Sequence, residues 1–126
     1  MAVRVLLVEG NEATRVALAR QLGKDDRVAL AGATGVAEEA ARLLGQTQPD
    51  LVLLGARGSD ERAVYACRML SRLSGVPVVL FVSFVTPEFW TAAQAAGAAD
   101  YLLKEIDTER LVSEIVRLAE QHAPTQ

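Results

Sequence analysis

A four-residue apolar run, Leu51-Val-Leu-Leu54, leaves this chain few folds to choose from. It stands between a turn, Gln48-Pro-Asp50, and a loop that opens at Gly55 and closes at Gly58. A short continuous run with turn residues at both ends, and no polar alternation inside it, suits a strand covered by helices on both faces. In sheets of that kind, ligands and chemistry gather in the loops leaving the carboxyl ends of the strands. Position 55 should therefore be the most informative in the protein, and it is a glycine.

The other elements follow in alternation. Residues 3–8 are apolar apart from Arg4 and read as a first strand, after which Asn11 is placed to cap a helix running to about Leu22. Residues 28–31 read as a weaker second strand ended by Gly32 and Gly35. Residues 36–44 read as a helix, with Ala37, Ala40, Ala41 and Leu44 at helical spacing and Gly45 as its stop. Residues 60–73 read as a third helix whose apolar side holds Val64, Cys67, Met69, Leu70 and Leu73. A fourth strand is expected over 78–82, and a fourth helix from Pro87 to Ala96, ahead of Gly97. A short fifth strand is expected over 100–103, and a last helix capped by Asp107 or Thr108 and ending near Gln121. Five strands alternating with five helices imply parallel strands and right-handed crossovers, hence an α/β three-layer, doubly wound five-stranded sheet. Residues 1–121 are expected to form one domain, with 122–126 a frayed tail.

Composition narrows the function classes. A hydrophobic content of 51% fits a sheet buried on both sides. The net charge of −3, with acids and bases interspersed, argues against nucleic-acid binding by this domain. A single cysteine, Cys67, excludes an internal disulfide or a cysteine metal cluster, as in a reducing cytoplasm. No run approaches membrane-spanning length, and the Met-Ala-Val-Arg start lacks the shape of a signal peptide. The expected location is cytoplasmic, with no membrane association.

Four segments carry a family resemblance: Val3-Arg-Val-Leu-Leu-Val8 with an acid after it, Gln48-Pro-Asp-Leu-Val-Leu-Leu54, Val76-Pro-Val-Val79, and Ala96-Gly-Ala-Ala-Asp-Tyr-Leu-Leu-Lys104. Over nearly its whole length the chain resembles the receiver domains of two-component response regulators. The resemblance implies a flavodoxin-like sheet with strand order 2-1-3-4-5. Lys104 followed by Glu105, not by proline, is similar to receivers of regulators with a helix-turn-helix output.

A working receiver of this family transfers a phosphoryl group to an aspartate. That chemistry needs a carboxylate at the end of the third strand, two acids after the first strand to hold Mg²⁺, a hydroxyl after the fourth strand, and a lysine. Carried over residue by residue, the acceptor position is Gly55 and the acids are Glu9 and Gly10. The hydroxyl position is Val82, the lysine is Lys104 and the switch aromatic is Tyr101. Three of the five parts are missing, so the expectation is a degenerate pocket with no phosphoacceptor, catalytic residue, metal or cofactor. Ser83 stands one residue past Val82. Ser59 and Asp60 read as turn and cap residues. Lys104 is expected to pair with Glu9.

Phe89 and Trp90, with Val112 and Val116 on the last helix, are expected to form an interaction face for a protein partner or a second copy, on the surface of the fourth helix, fifth strand and fifth helix. The function expected is a phosphorylation-independent signalling module. The alternatives are a small-molecule sensor using a neutral, roomier pocket at 55 and 10, or the receiver portion of a longer DNA-binding regulator. An enzyme ranks last, since no nucleophile–base pair is visible.

Overall fold

Apolar residues that alternate along the strands send every second side chain to opposite faces of one sheet, and each face needs its own cover. The computed structural model describes residues 1–123. It contains β1 (Val3–Val8), α1 (Glu12–Leu22), β2 (Val28–Thr34), α2 (Ala37–Thr47), β3 (Leu51–Ala56), α3 (Glu61–Leu73), β4 (Val78–Val82), α4 (Pro87–Ala95), β5 (Ala98–Leu103) and α5 (Thr108–Gln121). All strand pairings are parallel, in the order β2-β1-β3-β4-β5. This is the flavodoxin-like three-layer sheet that the alternation implied.

The pleat divides the interior in two. Leu6, Val8, Val52, Leu54, Leu80 and Val82 pack on one side with Ala40 and Leu44 of α2, Cys67 and Leu70 of α3, and Ala93 of α4. Val5, Leu7, Leu51, Leu53, Val79 and Phe81 pack on the other with Leu18 and Leu22 of α1 and Leu111, Ile115 and Leu118 of α5. A fully buried aliphatic side chain contributes about 1.5–3 kcal/mol, so these two layers dominate stability. Caps add to them. The side chains of Asn11, Asp60, Thr86 and Asp107 accept backbone N–H bonds at the starts of α1, α3, α4 and α5.

Several boundaries differ from the sequence reading, each for a packing reason. β2 does not stop at Gly32. After a bulge its pairing resumes with Leu6 opposite Gly32 and runs on to Val8 opposite Thr34. A methyl group at Gly32 would lie 3.3 Å from a Leu6 methyl and 3.6 Å from one of Leu43, so the glycine lets α2 approach and does not end the strand. α2 does not stop at Gly45 either. It continues to Thr47, closes with the Gln48 N–H donating to the Leu44 carbonyl, and leaves Gln48 left-handed at φ 49° ahead of Pro49. Burial of Leu44 outweighs the roughly 1 kcal/mol that an exposed helical glycine costs. β5 begins earlier than expected, at Ala98, because Gly97 at φ 109° turns the chain off α4 directly into the sheet. In α3 the buried positions are Ala63, Ala66, Cys67 and Leu70, whereas Leu73, expected on the apolar side, is exposed. His122, expected in a frayed tail, is the C-cap of α5, its N–H donating to the Leu118 carbonyl. The rest of the tail expectation, from residue 124 on, lies outside the described residues.

Candidate functional site

The carboxyl ends of β1, β3, β4 and β5 line one mouth of the sheet, and the side chain that dominates it is Glu9. It follows β1 directly and is 6% exposed; with Thr34 it is one of two buried polar residues among those described. Burying a carboxylate requires partners, and Glu9 has them at every polar atom. Its Oε1 accepts from Lys104 Nζ at 3.2 Å, and its Oε2 from the Asn11 backbone N–H at 3.0 Å. Its N–H donates to the Thr34 carbonyl at 2.9 Å, and its own carbonyl accepts from Arg15 Nη1 at 2.9 Å. Lys104 is anchored in turn through its backbone N–H, which donates to the Val82 carbonyl at 2.7 Å.

Gly55 lies beneath this pair. It belongs to β3, not to a loop after it, and sits opposite Phe81 of β4. A methyl group there would run into Glu9 Oε1 and would stand 2.8 Å from the Glu9 carboxyl carbon. The glutamate therefore occupies the volume that a side chain at 55 would take, while Gly55 and Gly10 still line an open cleft on the side of α2 and α3. Gly10 is exposed, and a methyl group there would meet, beyond its chain neighbours, only the Gly35 carbonyl at 3.9 Å.

Val82 offers the mouth of the sheet no hydroxyl. Alternation along the strands places it with Leu54 and Ala56 on the α2–α4 side of the sheet, fully buried, while Gly55 faces the other way. Ser83, immediately past the strand, is exposed. Ser59 is exposed, and Asp60 caps α3 by accepting from the Arg62 N–H at 2.9 Å.

Mg²⁺ takes one or two carboxylates in a near-octahedral oxygen shell. The residues here do not fit it: Gly10 and Gly55 supply no ligand, and the Glu9 oxygens are already engaged by a cation and an N–H. Among the described residues no group of three or more His, Cys, Asp or Glu is placed to hold a metal.

Tyr101, on β5, packs edge-to-face on Trp90 of α4, with ring centroids 5.0 Å apart at 69°. Both rings are partly buried. The interaction face expected from the sequence is reduced by this packing. Phe89 is 7% exposed and Val112 is fully buried, because both point into the core layers, so neither offers atoms to a partner. Trp90 and Val116 are partly buried and keep some surface. Large apolar side chains that the sequence reading did not single out are more exposed, among them Val36, Tyr65 and Phe84. Val36 and Tyr65 border an open cleft of about 580 Å³ beside Gly55, between the first turns of α2 and α3, with Val8 and Leu54 at its floor and Glu38 and Asp60 on its rim.

No helix is long and apolar enough to cross a membrane among the described residues. Burial pushes the Cys67 thiol up to about 11, so it stays protonated in the core.

Known proteins repeat both the fold and the sequence. The DNA-binding transcriptional activator DevR/DosR of Mycobacterium tuberculosis is 31% identical over 105 residues, which is 82% of this chain and 48% of that protein. The transcriptional regulatory protein LiaR of Bacillus subtilis is 26% identical over 97% of this chain and 58% of its own length. The chain thus spans about half the length of the curated relatives it matches. The signal receiver domain of a modulated diguanylate cyclase from Desulfovibrio desulfuricans superposes with a TM-score of 0.82 at 22% identity, covering 97% of both chains. A LuxR-family two-component response regulator from Aurantimonas does so with a TM-score of 0.82 at 24% identity, covering 96% of this chain and 87% of that one. The family model described as the response regulator receiver domain matches residues 5–116. With that match over most of its length, this chain belongs to the response regulator receiver domains of two-component signalling.

Proposed function

We propose that this chain is a receiver module that works through protein contacts and is not switched by aspartyl phosphorylation. The observation that carries this reading is the pairing of Gly55 with Glu9. The end of β3, where the family resemblance puts the nucleophile, has no side chain, and the space belongs to a carboxylate held by Lys104 and Asn11. The missing parts are the acceptor at Gly55, the second acid at Gly10 and the hydroxyl at Val82. The module has no catalytic role of its own, and residues 1–121 form its working unit in the cytoplasm. A partner protein or a second copy binds the surface of α4, β5 and α5 through Trp90 and Val116. One relative whose name carries DNA binding is about twice as long as this chain; on this reading the chain is the receiver portion of such a regulator, with DNA binding left to another part, or a free-standing module. The test is exposure to acetyl phosphate and Mg²⁺. The mass and the emission of Trp90, the single tryptophan, should not change, and a covalent phosphate on the chain overturns the reading.

One observation favours a second reading, a small-molecule sensor. The cleft between α2 and α3 falls within the size range of ligand sites. Ligand-induced stabilisation that is lost in Tyr65→Ala would support it.

A further inference from the structure

β1 and β5 are not neighbours. β3 and β4 lie between them, so three inter-strand spacings, about 14 Å, separate their backbones. Yet Glu9 at the end of β1 and Lys104 at the end of β5 meet at 3.2 Å. The pair can close only by passing over the end of β3, where Gly55 leaves the way clear. We propose that Glu9 and Lys104 form a clamp across the mouth of the sheet, in which Glu9 is a permanent intramolecular ligand of Lys104 and Gly55 is the gap that admits it.

Three features support a built clamp over a chance surface contact. Both Glu9 oxygens are used, one by Lys104 and the other by the Asn11 N–H that opens α1. The Glu9 backbone is itself held on both sides, by the Thr34 carbonyl and by Arg15. The lysine backbone is tied to β4 through Val82. A group that leaves Glu9 no free oxygen also leaves Lys104 no need of an external anion. Lys104 is three residues beyond Tyr101 on β5, and Tyr101 carries the Trp90 ring. The clamp therefore holds the far end of β5, and with it the α4–β5 surface, in one arrangement.

That consequence for signalling rests on the reading that residue 55 accepts no phosphoryl group; the clamp itself does not. The experiment separates the two. Gly55→Ala is made in the full chain in three backgrounds: wild type, Glu9→Gln and Glu9→Ala. Thermal midpoints and acrylamide quenching of Trp90 are measured in each. Alanine is otherwise the better residue inside a strand. Gly55→Ala should therefore lower the midpoint in wild type and in Glu9→Gln, where the side chain at 9 keeps its bulk, and should leave it unchanged or raise it in Glu9→Ala. Quenching of Trp90 should increase in Glu9→Ala and in Lys104→Met. The same loss of midpoint in all three backgrounds, or unaltered quenching in both clamp variants, overturns the proposal. A phosphate adduct on the wild-type chain with the midpoint pattern intact overturns the reading of function and leaves the clamp standing.

Discussion

Two clusters of charge tie distant parts of this chain together, and they do so on different terms. At the far end from the site, Arg27 bonds Asp25 at 2.8 Å and Glu109 at 2.9 Å, joining the turn before β2 to the start of α5. Their side chains are 42%, 25% and 73% exposed. At the site, Glu9 and Lys104 are 7% and 27% exposed at 3.2 Å. The shorter contacts are the weaker ones in consequence. Exposed pairs exchange one set of hydrogen bonds for another and are screened by salt. A buried carboxylate has no water to return to, so its partner decides where it sits. Distance alone would rank the two clusters wrongly; burial ranks them.

The largest test of that contrast is Gly55→Asp. It would put a second carboxylate against Glu9, with only Lys104 to serve both. We expect a loss of roughly 2–3 kcal/mol by urea denaturation at pH 7.5. Adjacent carboxylates raise the pKa of one of the pair, so the folded form takes up a proton that the unfolded chain does not. The deficit should therefore shrink as the pH falls towards 5. A variant as stable as wild type at pH 7.5 would mean that Glu9 moves aside freely.

Next comes an asymmetry. Lys104→Met strands a nearly buried carboxylate and should cost about 2 kcal/mol, whereas Glu9→Gln strands a lysine that can hydrate and should cost about 1 kcal/mol. Urea midpoints of the two variants compare them directly, and the reverse order would show that the carboxylate is better solvated than its burial indicates.

The third test asks whether the site end is coupled to the surface. Trp90→Ala removes an edge-to-face pair with Tyr101, for which about 1 kcal/mol beyond area burial is typical. Together with Val116→Glu it should abolish self-association or partner capture, followed by sedimentation and pull-down. A wild type that is monomeric at high concentration, with partner capture unaffected by either variant, would move the interface elsewhere.

The smallest effect belongs to Arg27→Ala. Only a small loss of midpoint is expected at neutral pH, because the pair is exposed to solvent. Hydrogen bonds from Arg27 hold the Asp25 carboxyl down to about 2. A lowered folded-state pKa contributes stability above the usual carboxylate range and loses it as the pH falls through the folded value. Any difference between Arg27→Ala and wild type should accordingly vanish between pH 4 and 2. A large neutral-pH loss that survives in 0.5 M salt would contradict the contrast drawn above.

The residues differ in how far they could be read in advance. β4 and the caps at Asn11 and Asp107 were legible because a buried run and a capping side chain are local signals. Gly32 and Gly45 misled, since a glycine that ends an element and one that makes room inside it look alike in a string of letters. Phe89 and Val112 were expected at the surface from their places on the fourth and fifth helices, and the core claimed both.

Sequence by itself determined the class of fold and the poverty of the site. Apolar runs alternating with amphipathic stretches admit little else than a doubly wound parallel sheet, and no folding can supply a carboxylate at position 55. Only the tertiary structure decided what stands there instead. Glu9 and Lys104 are ninety-five positions apart; the family resemblance led to the expectation that they pair, but nothing local to either reports that Glu9 takes the space at 55. Strand order brings the ends of β1, β3 and β5 to one mouth of the sheet, and the burial of Glu9 then turns an ordinary glutamate into the residue that fills it.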